Sequence, residues 1–161
     1  MKKYVELYEK NNELDELFLS TYGDTEEIAN KNILELLVEL GEFANETKVF
    51  KYWSIKKPKD IDTVLEEAAD CMLMIMYFCH RIDMDISKIK LNYFEEDPTS
   101  IFIRLFDECS ELKGDMTESK LATILNDMIS IVKACGYSEE DFIRVCFMKM
   151  HINFQRFEID Y

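Results

Sequence analysis

The chain is 161 residues long, 48% apolar, and carries a formal net charge of −14. That apolar content excludes a disordered chain, and the length suits one domain, residues 1–161, with a core of its own. The negative surplus repels phosphate backbones and anionic lipid alike, which argues against direct nucleic-acid binding and against a membrane surface.

Four glycines and two prolines are sparse punctuation, and Leu, Ile, Met, Glu, Asp and Lys dominate, so the predicted class is all-α, a helical bundle of about six to seven helices. The first segment, about Lys3 to Thr21, places Tyr4, Leu7, Leu14, Leu17 and Phe18 at helical intervals and stops at Gly23, with Asn11 on the same face. A second helix is predicted from Glu26 to about Phe50, apolar on nearly every side through Ile33, Leu34, Leu36, Leu37, Val38, Leu40, Phe43 and Ala44. The link KYWSIKKPKD holds Pro58, four lysines and the only tryptophan, Trp53. Asp60 or Asp62 can cap a third helix reaching about Asp83, and Asp85 opens a short segment toward Tyr93. After the break at Asp97 and Pro98, Thr99 or Ser100 is expected to cap a fourth helix running to Lys113. A fifth follows Thr117 and stops at Gly136, and Ser138 with Asp141 forms a capping-box-like start for the last, running toward Arg156.

Cys71, Cys79, Cys109, Cys135 and Cys146 are odd in number, lie mostly in apolar stretches and show no CxxC spacing. They read as reduced core thiols in a reducing, cytoplasmic setting. The opening MKKYVELYEKNNELDEL has no signal pattern, and the longest uncharged run falls short of the ~20 residues of a membrane span.

The chemistry lies in the acids. Asp70 is the only charged residue in AADCMLMIMYFC, one turn after Glu67, and burying an unpaired ion costs several kcal/mol. Glu35, Glu39, Glu42 and Glu46 project from one face of the second helix, where like charges destabilise one another. Glu35 and Glu46 read as a solvated face. Glu39 and Glu42, set among Val38, Leu40 and Phe43, read with Glu67 and Asp70 as two ExxE/D pairs on facing helices. An all-oxygen set of that kind suits Mg²⁺ or Mn²⁺. By spacing alone, Lys149, Asn153 and Arg156 are an ordinary helix end whose cations complement the dipole. Trp53 is equally a packing residue or a pocket wall, the run Met72, Met74 and Met76 reads as core or subunit interface, and His80 and His151 read as helix-surface or interface residues.

ELLVELGEFANETKVFKYWSIKKPKD followed by LEEAADCMLMIMY resembles the core of the dimeric, all-α dUTPases, within the MazG-like superfamily of nucleoside triphosphate pyrophosphohydrolases. NELDEL resembles that family's opening helix, and the spacing from Lys149 through Asn153 and Arg156 to Tyr161 its closing phosphate-binding motif. The resemblance implies a homodimer that hydrolyses dUTP to dUMP and pyrophosphate. It implies Glu39, Glu42, Glu67 and Asp70 as Mg²⁺ ligands, Glu42 as base beside Glu39, and Lys149, Asn153, Arg156 and Tyr161 on the phosphates with Lys51 or Lys56 beside them. It also implies Asn11, Trp53 and Met74 at the base. Asn11 stands where the family often has glutamine, and Leu73 and Met74 where it commonly has His-Phe. Those departures leave open dCTP or other nucleotides as substrate, and relatives carried by phage add a possible repressor-protein partner.

Overall fold

The computed structural model describes residues 1–58, 60–93 and 96–160, and of Asp160 only the backbone. It is all-helical among these residues: α1 (Lys2–Tyr22), α2 (Glu26–Thr47), α3 (Ile61–Arg81), a 3₁₀ turn (Ile86–Lys88), α4 (Pro98–Glu111), α5 (Glu118–Ala134) and α6 (Glu139–Asp160).

Local chemistry sets the boundaries. Gly23 takes a φ of 84°, a left-handed conformation that closes α1 without a side-chain penalty. Thr25, Asp60, Asp85 and Thr117 each accept a backbone N–H of the turn they open. Ser138 Oγ accepts from the Asp141 N–H at 3.0 Å and donates to its carboxylate at 2.6 Å, opening α6 as expected. Two expectations change. The cap of α4 is Asp97 rather than Thr99 or Ser100, because Pro98 fills the first helical position and leaves the Ser100 N–H to the Asp97 carboxylate. Helix α2 ends at Thr47, where Lys48 turns left-handed at φ 60°.

Helix α3 is the centre of the bundle, packing against α1, α2, α5 and α6, while α2 and α5 also pack on α4. Its buried residues run right round it, from Val64 and Leu65 through Ala68, Ala69, Cys71, Met72, Leu73, Ile75 and Met76 to Phe78 and Cys79. Leu36, Leu40 and Phe43 of α2 complete that layer, with Phe43 edge-on to Phe102 of α4 at 5.1 Å. All five cysteines are free thiols, four of them buried. Helix α2 is less enclosed than its sequence suggests, because Leu34 is 62% and Val38 51% exposed, on the side turned from α3.

Ion pairs tie the outer helices together. Arg104 holds both Asp127 oxygens (2.5 and 3.0 Å) and both Glu96 oxygens (2.8 and 2.9 Å), joining α4 to α5 and to the segment before α4. Arg81 pairs with Asp24, and His80 meets Glu16 at 2.8 Å, pinning α1 and the start of α2 to the end of α3. No helix among the described residues is long and apolar enough to cross a membrane.

Leu40 has no exposed surface at the α2–α3 seam. Leu40→Ala is expected to lower unfolding stability by about 2–5 kcal/mol in a urea titration, with the slope unchanged. A loss below about 1 kcal/mol would show that this seam is not packed as described.

Candidate metal centre and nucleotide site

The core leaves α3 one polar stripe. Glu67, Asp70, Met74, Tyr77 and Arg81 recur at intervals of three and four, all half-buried. Helix α2 runs antiparallel beside it, so that Glu42 and Glu39 act on Glu67, Glu39 and Glu35 act on Asp70, and Asn32 neighbours the Tyr77 hydroxyl. One oxygen each from Glu39, Glu67 and Asp70 lies within 4.8 Å of the other two.

Three carboxylates this close are strained electrostatically. Desolvation, then Asp70 and the neighbouring glutamates, push Glu39 up to about 7. Burial, with Glu42 and Asp70 behind it, raises Glu67. Burial also raises Asp70, although the Lys149 ammonium 2.7 Å away and the more distant Arg156 pull it back. The donors are oxygen only, partly desolvated and short of positive charge, which fits a hard divalent cation such as Mg²⁺ or Mn²⁺.

Glu42 differs from its three partners. It is exposed and stands outside the 4.8 Å group, though it still acts on Glu39 and Glu67. Glu35 is also open to solvent, yet desolvation and Asp70 raise its carboxyl. Glu46 does not lie on a solvated face. It is 9% exposed, because the chain folds back at Lys48 and brings that ammonium to 3.9 Å, with the Asn45 amide at 3.4 Å.

Helix α6 supplies the opposite charge. It runs in the same direction as α3, with Arg144 on Asp62 at 2.6 Å and Lys149 on Asp70 at 2.7 Å. Asn153 is half-buried and Arg156 exposed further along it. Tyr161 lies outside the described residues. The acids of α2 and α3 thus face the cations of α6 across one stripe, an arrangement that can hold a metal-loaded polyphosphate.

The residues expected at the base are only partly assembled. Asn11 is buried on α1, Met74 half-buried on α3, and the Asn11 amide donates to the buried Asp15 carboxyl at 3.0 Å. Asp15 in turn acts on Tyr77. Trp53 stands apart, 65% exposed in the α2–α3 link, edge-on to Tyr52 at 5.0 Å. Lys51 donates to the Asn45 amide oxygen at 2.6 Å, and Lys56 is exposed. Sequence reading overlooked Asp15 and Tyr77. The signal was present, since Asp15 follows Asn11 by four residues and Tyr77 follows Asp70 by seven, each on the same helical face.

A groove of about 1020 Å³ opens elsewhere, between the 3₁₀ turn and α4–α5. Its strongest cation, Arg104, is already held by Glu96 and Asp127.

The model of the dUTPase family matches residues 3–161. The chain belongs to the dUTPase family. Its activity is that of a dUTP diphosphatase, a hydrolase that converts dUTP to dUMP and pyrophosphate. No curated protein matches the chain.

The raised carboxyls of this dUTPase give stability a sign with pH. Glu39 sits at about 7 when folded against an ordinary 4.5, so the folded state binds its proton more tightly than the unfolded chain does. That stabilisation is complete below the unfolded value and is lost as pH rises through the folded one. In chelator, the unfolding temperature is therefore expected to fall between about pH 4.5 and 7, and Glu39→Gln, neutral throughout, should flatten the fall. An unaltered pH profile in the variant would remove Glu39 as its source.

Proposed function

We propose that this dUTPase works with Mg²⁺, or Mn²⁺ in its place, held by Glu39, Glu67 and Asp70 with Glu42 at the edge of the set. The observation that carries the proposal is the triad of carboxylate oxygens within 4.8 Å of one another, opposite the Lys149 ammonium. The ion supplies charge neutralisation on the triphosphate oxygens.

The chain's own groups do the rest. Glu42, exposed and outside the tight triad, is free to take a proton from the attacking water, while Glu39 would help hold the cation. Lys149 pairs with Asp70 while no nucleotide is bound, and phosphate oxygens compete for the same ammonium. Asn153, Arg156 and Tyr161 extend the phosphate grip along α6, with Lys51 and Lys56 reaching in from the link. Asn11 offers an amide to the pyrimidine edge, Met74 packs on the ring and Trp53 folds over it.

The length of the chain adds one domain spanning residues 1–161 and its free thiols a cytoplasmic setting, while the resemblance adds membership of the MazG-like superfamily and a homodimer. Leu34 and Val38, exposed one turn apart on α2, support the last of these.

Pyrophosphate release from a panel of dUTP, dCTP, dTTP, dATP, dGTP and UTP, with Mg²⁺ and with EDTA, tests the proposal. Expected are a preference for dUTP, abolition by EDTA, and a loss in kcat of about 10²–10³-fold or more in Asp70→Asn with no loss of unfolding temperature in chelator. Full activity in Asp70→Asn would overturn the metal assignment. Turnover of dCTP or several nucleotides alongside dUTP would recast the chain as a broader nucleotide-sanitising pyrophosphohydrolase. Absence of turnover in a folded protein would point to a binding partner such as a repressor.

A further inference from the structure

Among the described residues, Lys149 is the one cation paired with the acid cluster. Its ammonium stands 2.7 Å from Asp70 Oδ2, with the two side chains 11% and 21% exposed. Glu39 and Glu67, the other two members of the cluster, make no ion pair among the described residues. The lysine is seated by its own helix. Val145 and Cys146, four and three residues before it, have no exposed surface, so its stem lies on the face that α6 turns to α3.

Two demands therefore meet on Asp70. It belongs to the group of carboxylates whose oxygens lie within 4.8 Å of one another, and it accepts from a largely enclosed ammonium. A divalent ion drawn to those oxygens meets a positive charge already beside one of them, and two cations on one carboxylate repel each other in a partly desolvated site. Phosphate oxygens are the competing acceptor. A lysine ammonium on its flexible stem can change partners, in contrast to Arg104, whose fork is fixed by four hydrogen bonds to Glu96 and Asp127.

We propose that Lys149 is an exchangeable counter-ion. It neutralises Asp70 before nucleotide binds, moves to the phosphates when they arrive, and in doing so leaves the whole of the Asp70 carboxylate to the divalent cation. Metal and phosphate then each bind more tightly in the presence of the other, and linkage makes that gain equal in both directions. The inference rests on the metal centre and phosphate grip of the proposed function and adds to them the group that couples the two.

Two binding measurements, neither of which needs turnover, test the exchange. The first is Mn²⁺ binding to the nucleotide-free protein, followed by loss of the free-ion electron paramagnetic resonance signal. Lys149→Met keeps the stem and removes the charge, so it should bind Mn²⁺ about tenfold more tightly than wild type. Lys149→Gln gives the same reading where the apolar variant does not fold. The second is calorimetric binding of pyrophosphate in EDTA. Asp70→Asn releases the ammonium and is expected to raise pyrophosphate affinity about tenfold in the wild-type background, against about two- to threefold beside Lys149→Met, where only the lost negative charge acts. Mn²⁺ held no more tightly by Lys149→Met, or an equal gain from Asp70→Asn in both backgrounds, would overturn the exchange and leave the metal centre standing. A folded wild type that binds no Mn²⁺ would overturn the metal centre itself, and the inference with it.

Discussion

Everything in this bundle depends on α3 being enclosed on all sides but one. A helix packed against four others has room for polar groups only along a single line, and that line collects Glu67, Asp70 and Tyr77. The apolar residues around it fix the depth of the carboxylates, and depth gives them their chemistry. At the surface the same acids would be ordinary and well hydrated. Set at the rim of the core and crowded by Glu39, they hold their protons more tightly than free carboxyls do.

The two flanking helices divide the charge between them. Helix α2, antiparallel to α3, adds acids in register, whereas α6, running with α3, adds Lys149 and Arg156. A net charge of −14 would slow any approaching triphosphate, and this arrangement confines the opposing cations to the one stripe where they are needed. Arg104 and Arg81, by contrast, are held in ion pairs that tie helices of the bundle together.

Much of this was legible from residue order, because the informative features were periodic. The all-helical class followed from composition and spacing, and so did the starts of α2 at Glu26, of α3 at Asp60 or Asp62, of α5 after Thr117 and of α6 at Ser138, whereas α4 is capped by Asp97 and not by Thr99 or Ser100, because Pro98 takes its first position. Glu39, Glu67 and Asp70 were recognisable because a charge inside an apolar run needs a reason. Glu42 shows the limit of that logic, since its apolar neighbours in sequence point to other faces of the helix and leave it in solvent. Glu46 shows the reverse, buried by a left-handed turn two residues on that periodicity cannot display. Asp15 shares the helical face of Asn11, but its burial is set across the bundle and cannot be read from that spacing alone.

The division of charge between helices also orders events during synthesis. The acids of α2 and α3 leave the ribosome long before Lys149, which lies in the last helix of the described fold. Chains fold broadly from the N-terminus as they are made, so a nascent bundle reaching only to α5 already brings Glu39, Glu67 and Asp70 together without the ammonium that partners Asp70. In that interval the carboxyls can relieve their mutual repulsion only by binding protons, as the raised Glu39 does. The arrival of α6 therefore closes an electrostatic gap as well as a hydrophobic one.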